Sequence, residues 1–188
     1  MRKNFGRKTI ITPLPVLILA TYDEHGIPNA MNAAWGGQYD SNEIFVSLAK
    51  HKTTDNLILK KAFTVSFATK DTVEESDYFG IESGHKTNKI EAVGFTAVRS
   101  EFVDAPVIEQ YPLTLECTVK DLQEDKTGYI LIGEVVNMSA DESILTDGQV
   151  DLSKLQPVCF DSASNTYRLI TEIVADAFSC GKKYIQKP

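Results

Sequence analysis

Residues 113–120 alternate without interruption. Leu113, Leu115, Cys117 and Val119 fall on one face, and Thr114, Glu116, Thr118 and Lys120 on the other. A period of two places successive side chains on opposite sides of a pleated strand, whereas a helix would scatter the same apolar set around its circumference. Residues 123–128 then form a polar turn, and residues 129–136 return as a nearly continuous apolar strand. The dominant signal of the chain is therefore β.

Further strands follow from the same reasoning. Residues 15–21 are mostly apolar and end at the turn signal Asp23-Glu24-His25-Gly26, after which residues 29–35 return. Residues 43–49 and 63–69 read as strands, and residues 158–160 and 167–170 as shorter ones. Three short helices interrupt them. The first covers residues 53–61, with Thr53 or Thr54 as its cap, Asp55 suited to its positive start and Lys60-Lys61 to its end. The second covers residues 72–83, with Thr72 and Glu75 as a capping box and Gly84 as its stop. The third covers residues 87–93 and stops at Gly94. No repeat, linker or low-complexity segment divides the 188 residues. The expectation is one domain, 1–188 with its core at about 10–170, mainly β, a closed or partly closed barrel with short peripheral α-helices.

Composition narrows the function. Nineteen Lys and Arg against 26 Asp and Glu leave a net charge of −7. A nucleic-acid or anionic-membrane binder wants a basic face, so neither partner is expected. A local basic pocket for one phosphate is compatible with that balance. The three cysteines, Cys117, Cys159 and Cys180, are odd in number and widely spaced, which suits a reducing cytoplasm better than a disulfide framework. No apolar run approaches the roughly 20 residues a membrane helix needs. The basic start at residues 1–8 precedes too short an apolar run, with no small-residue cleavage site, to read as a signal peptide. Three histidines (His25, His51 and His85) make a multi-histidine metal site improbable, and no metal is expected. Rossmann, P-loop and hydrolase motifs are absent.

Two segments are chemically unusual. Residues 47–56, Ser-Leu-Ala-Lys-His-Lys-Thr-Thr-Asp-Asn, run from a strand end into a helix start. Hydroxyls, an imidazole, ammonium groups and free helix amides converge there, as a phosphate monoester requires. A capped helix with solvated lysines is the plainer alternative. Residues 29–37, Asn-Ala-Met-Asn-Ala-Ala-Trp-Gly-Gly, leave the backbone bare enough for a flat ring to lie against it. A bulged strand with Trp35 in the core is the alternative. A ring over one segment and a phosphate at the other is the shape of a mononucleotide such as FMN.

The order of these features resembles the flavin reductase-like family, the FMN-binding split barrels that include flavoredoxin. The matching pieces are residues 15–21, 28–35, 44–47, 52–58 and 63–67, then Ser83-Gly84, Asn88-Lys89, the strand 113–119 and residues 133–136. The resemblance implies a six-stranded antiparallel split β-barrel with peripheral helices, forming a homodimer with FMN near the interface. It implies that Met31, Asn32, Ala33, Ala34 and Trp35 line the isoalloxazine, that Ser47, Lys52, Thr53 and Thr54 hold the phosphate, and that Ser83, Gly84 and Lys89 approach the flavin from a later loop. A lysine near the pyrimidine end of a flavin stabilises the anionic reduced ring. His85 is a weaker candidate, and Tyr167 is placed in the core before the site. The implied activity is electron transfer from NAD(P)H or a redox protein through FMN, by a flavin reductase or a flavoredoxin-like carrier. Hydride transfer between stacked rings asks little acid–base help from the protein, so no catalytic residue is named. A protein that merely sequesters FMN and a pyridoxamine phosphate oxidase-like enzyme are the alternatives. The acidic stretches 121–125 and 141–151 read as solvated loops able to steer a redox partner.

Overall fold

The computed structural model describes residues 1–170 and 172–185. The chain opens with β1 (Leu14–Pro15), β2 (Leu17–Tyr22), β3 (Pro28–Ala33), β4 (Gly36–Asp40) and β5 (Glu43–Ala49). Helix α1 (Lys52–Lys60) leads into β6 (Ala62–Phe67), α2 (Val73–Ile81) and α3 (Lys89–Ala92). A small hairpin of β7 (Ala97–Arg99) and β8 (Pro106–Ile108) precedes the long strands β9 (Leu113–Glu124) and β10 (Gly128–Ala140). The chain continues through β11 (Leu145–Thr146), β12 (Gln149–Val150), α4 (Leu152–Leu155), β13 (Val158–Asp161) and β14 (Thr166–Leu169).

Seven strands form one antiparallel sheet in the order β3-β2-β6-β9-β10-β5-β4. Its edge strands, β3 and β4, are consecutive in the chain yet do not pair with each other. The sheet nevertheless curls, because Leu17, Leu19 and Ala33 from one end share a buried cluster with Ile44, Val46 and Leu48 from the other. The mainly β split barrel with short peripheral helices is thus what the chain forms. It has seven strands in its sheet rather than six, the additional one being β4, which pairs Gly36, Gly37 and Gln38 with Val46, Phe45 and Ile44. β1, β13 and β14 make a separate three-stranded sheet beside the barrel.

β2 explains why its sequence shows no alternation. Leu17 and Leu19 face the barrel interior, with Phe63, Val65, Cys117 and Leu131. Val16, Ile18 and Ala20 face a second cluster, with Phe79, Ile90, Ile108 and Tyr111 under the helices. A strand buried on both faces reads as a continuous apolar run. β5 is buried on one face only. Ile44, Val46 and Leu48 are inside while Phe45, Ser47 and Ala49 are outside. The turn expected over 123–128 shortens to 125–127, since Gln123 and Glu124 still pair with Ile130 and Tyr129. The Asp125 carboxylate organises it by accepting the amides of Thr127 and Gly128 at 2.7 and 2.8 Å. No helix among the described residues is long and apolar enough to cross a membrane.

Candidate functional site

The start of α1 is built by two neighbouring threonines with different tasks. His51 is the extended N-cap, with φ −164° and ψ 177°. The Thr54 hydroxyl accepts the His51 amide at 3.0 Å and donates to the His51 carbonyl at 2.7 Å. Thr54 is completely buried, and its hydroxyl is committed to this cap. Thr53, by contrast, accepts Nδ2 of Asn29 at 2.9 Å. Its own hydroxyl proton donates to no protein group among the described residues, which leaves a donor at the helix start. The helix stops at Lys61, held in the left-handed region at φ 54°.

Beside that helix start lies a cavity of about 270 Å³. Asn29, Met31 and Asn32 of β3 form one wall. His51, Lys52 and Thr53 form the second, and the end of α2 with residues 82–84 forms the third. Lys89 closes the back. Gly84 locks the loop against the first two walls. A Cβ there would stand 2.0 Å from Oδ1 of Asn29 and 3.3 Å from Cδ of Lys52, so any larger residue must displace the Asn29 carboxamide.

The charges are arranged unevenly. Lys52 Nζ pairs with Asp23 at 3.1 Å. Burial would raise the Asp23 carboxyl, but hydrogen bonds from the Ile27 amide, Lys52 and the His25 amide outweigh it and hold the group below its ordinary range. Lys89 is 3% exposed and donates from Nζ to the Phe79 carbonyl at 2.7 Å. Burial pushes its pKa down to about 8, against a weaker opposing pull from Glu82. Burial likewise lowers the His51 imidazole, and the Lys89 charge adds to the effect. His51 Nδ1 is shielded and has no hydrogen-bond partner among the described residues. The imidazole is therefore neutral near pH 7.

Of the residues expected at a site, Met31, Asn32, Lys52, Thr53, Ser83, Gly84 and Lys89 line this one cavity. Ala33 and Ala34 are instead buried, Ala33 within the barrel cluster. Thr54 lies beneath the cavity wall as a cap. Ser47 is on the outer face of β5, and Trp35 is 63% exposed outside the cavity. Tyr167, expected in the core, is half-buried against Phe160 and hydrogen-bonded to Asp77. His85 is exposed and stands 3.7 Å from Asp55. The cavity also takes in Asn29, His51 and the end of α2, to which the sequence assigned no individual role. Asn29 and His51 lay within the two unusual segments, but the contribution of α2 carries no compositional mark.

A cavity that brings together ammonium groups, hydroxyls, a helix start and a strand edge suits a ligand with an anionic end and a flat polar ring. The comparisons agree with this shape. The family model described as a flavin reductase like domain matches residues 9–155. The chain is similar to the solved flavoredoxin of Desulfovibrio vulgaris (Miyazaki F), with 37% identity, 97% of this chain and 100% of that chain covered, and a TM-score of 0.92. It is similar to flavoredoxin from Methanosarcina acetivorans at 26% identity, 98% and 100% coverage and a TM-score of 0.90. The FMN-binding protein from Thermus thermophilus shares the fold, at 17% identity, 94% and 100% coverage and a TM-score of 0.78.

Proposed function

The chain belongs to the flavin reductase-like family, and on that premise we propose that it is an FMN-dependent oxidoreductase whose cofactor occupies the cavity between β3, α1 and the 82–89 loop. The observation that carries the reading is the convergence of Lys52, Thr53 and Ser83 at the first turn of α1, in one cavity with the β3 edge and the buried Lys89. Thr53 donates its free hydroxyl proton to the phosphate, and Lys52 supplies positive charge that Asp23 keeps in place. The amides of the first α1 turn face the same end. Gly80 and Gly84 keep the walls close to the backbone, so a planar ring can approach it. Bound FMN supplies hydride acceptance and onward transfer of electrons in ones or twos.

Lys89 sits in the wall with its ammonium fixed by the Phe79 carbonyl. Held there, it stabilises negative charge on a reduced ring. The electron donor is NAD(P)H or a redox protein, and the acidic surface steers a basic protein partner. We further propose a homodimer. Trp35 and Tyr39 are 63% and 62% exposed, one on the connection from β3 to β4 and the other on β4, which suits a second copy covering them. The proposed setting is the cytoplasm.

The first test is the visible absorption spectrum of the purified protein and of the supernatant after denaturation, followed by FMN and riboflavin titrations. The expected result is a flavin band, with FMN released on denaturation. Lys52→Ala with Thr53→Ala should weaken FMN at least ~tenfold, since charge-assisted hydrogen bonds to the phosphate are lost, and leave riboflavin little changed. Equal losses for both ligands would remove the phosphate assignment. No binding of either would remove the function.

A further inference from the structure

Tyr167 lies in β14, beyond residues 9–155 that the family model matches, yet it reaches back toward the cavity wall. Its phenol donates to Oδ1 of Asp77 on α2 at 2.6 Å. Burial raises the phenol to about 12, the Asp77 carboxylate adds to the rise, and a side-chain hydrogen bond with Asn32 acts in the opposite sense. The phenol therefore keeps its proton at any physiological pH. The residue before Asp77 contacts the site directly. The Ser76 carbonyl accepts Nδ2 of Asn32 at 3.0 Å. One turn on, Gly80 passes so close that a Cβ there would lie 3.3 Å from Cβ of Asn32.

Asn32 is thus gripped on one side by α2 while it lines the cavity on the other. A carbonyl opposite the carboxamide settles its orientation, because only the NH₂ end can face an acceptor. The oxygen end then has no hydrogen-bond partner among the described residues. α2 itself is a short helix with no side-chain cap at its start. The Tyr167–Asp77 bond ties it to the small sheet of β1, β13 and β14.

We propose that Tyr167 and Asp77 are positioning residues, which fix α2 and, through it and the direct Tyr167–Asn32 contact, Asn32, so that Asn32 Oδ1 stands as the acceptor for a ring N–H of the bound ligand. The oxygen selects for an imide or amide ring, and for FMN, on the reading above, its partner is the imide N–H. The part of the chain outside the family match thereby helps to shape the cavity inside it.

The test has a readout that needs no ligand. In the ¹⁵N-labelled apoprotein, the Asn32 side-chain NH₂ should give two well-separated resonances with slowed exchange. Tyr167→Phe and Asp77→Ala should each bring the two resonances together and speed their exchange about tenfold, while Asp77→Asn, which keeps an acceptor for the phenol, restores the wild-type pattern. The same two disruptive variants should raise the FMN dissociation constant about fivefold, the scale of one hydrogen bond, and shift the visible flavin band. The double variant should be no worse than either single one. Unchanged Asn32 resonances in both disruptive variants would overturn the positioning role. Collapsed resonances with unchanged FMN affinity and spectrum would overturn the acceptor role. A wild-type protein that binds no flavin would overturn the function proposed above together with the acceptor role, and the apoprotein resonances would still decide the positioning role.

Discussion

Lys89 carries its charge where charge is penalised. Its pKa of about 8 in the folded protein stands below the ordinary 10.5. The unfolded chain therefore binds more protons between those values, and stability rises as the pH climbs from about 8 toward 10.5. Below pH 8 both states are protonated and the full penalty remains. Urea unfolding of the apoprotein at pH 7 and pH 10 should show this rise in the wild type but not in Lys89→Met. Equal pH dependence of the two proteins would mean that Lys89 is solvated. In the loaded protein, Lys89→Met should also lower the flavin reduction potential, and an unchanged potential would place the ammonium away from the ring. At this scale the sequence was informative about chemistry and silent about direction. Lys52 and Thr53 could be placed at a helix start from type and spacing, and the cavity takes in both. That Thr54 turns its hydroxyl back onto His51, and that Ser47 faces outward, depends on helix phase and strand face, which shift completely with one residue of register.

The elements were legible where their burial is simple. β5 matches its expected limits, Glu43–Ala49, because one buried face writes a clean alternation. β4 went unread because Gly36-Gly37-Gln38 has neither branched nor aromatic side chains, and its pairing with β5 is imposed by the chain folding back. The start of α2 was misplaced for a local reason. Thr72 does not cap toward Glu75. It bonds back to Thr69, at 3.0 Å to the amide and 3.1 Å to the hydroxyl, and closes a tighter turn ahead of the helix. β10 illustrates a constraint that composition hides. At Gly133 a Cβ would stand 2.4 Å from Cζ of the fully buried Phe63, beside a shift in the β9–β10 register. Gly133→Ala should destabilise the protein by about 1–3 kcal/mol, as overpacking does, read from the urea midpoint. A neutral result would mean that Phe63 has room to turn.

At the scale of the whole molecule, the proposed dimer makes a simple prediction. Sedimentation should give twice the chain mass, and Trp35→Lys should yield the monomer and weaken FMN together. A monomeric wild type that binds FMN normally would separate the site from any interface. The sequence alone does not tell which exposed apolar residues another copy covers, because exposure is a property of the assembled surface and not of local pattern.

β2 gives the molecule its mechanical character. Its odd residues belong to the barrel and its even residues to the packing under α2 and α3, so a single strand is the party wall of two hydrophobic compartments. Losing β2 would expose both at once. The cavity is framed by β3 and α1, both resting on that strand. Hydrogen exchange should therefore be slowest across β2 and its neighbours and fastest in the loops that connect them.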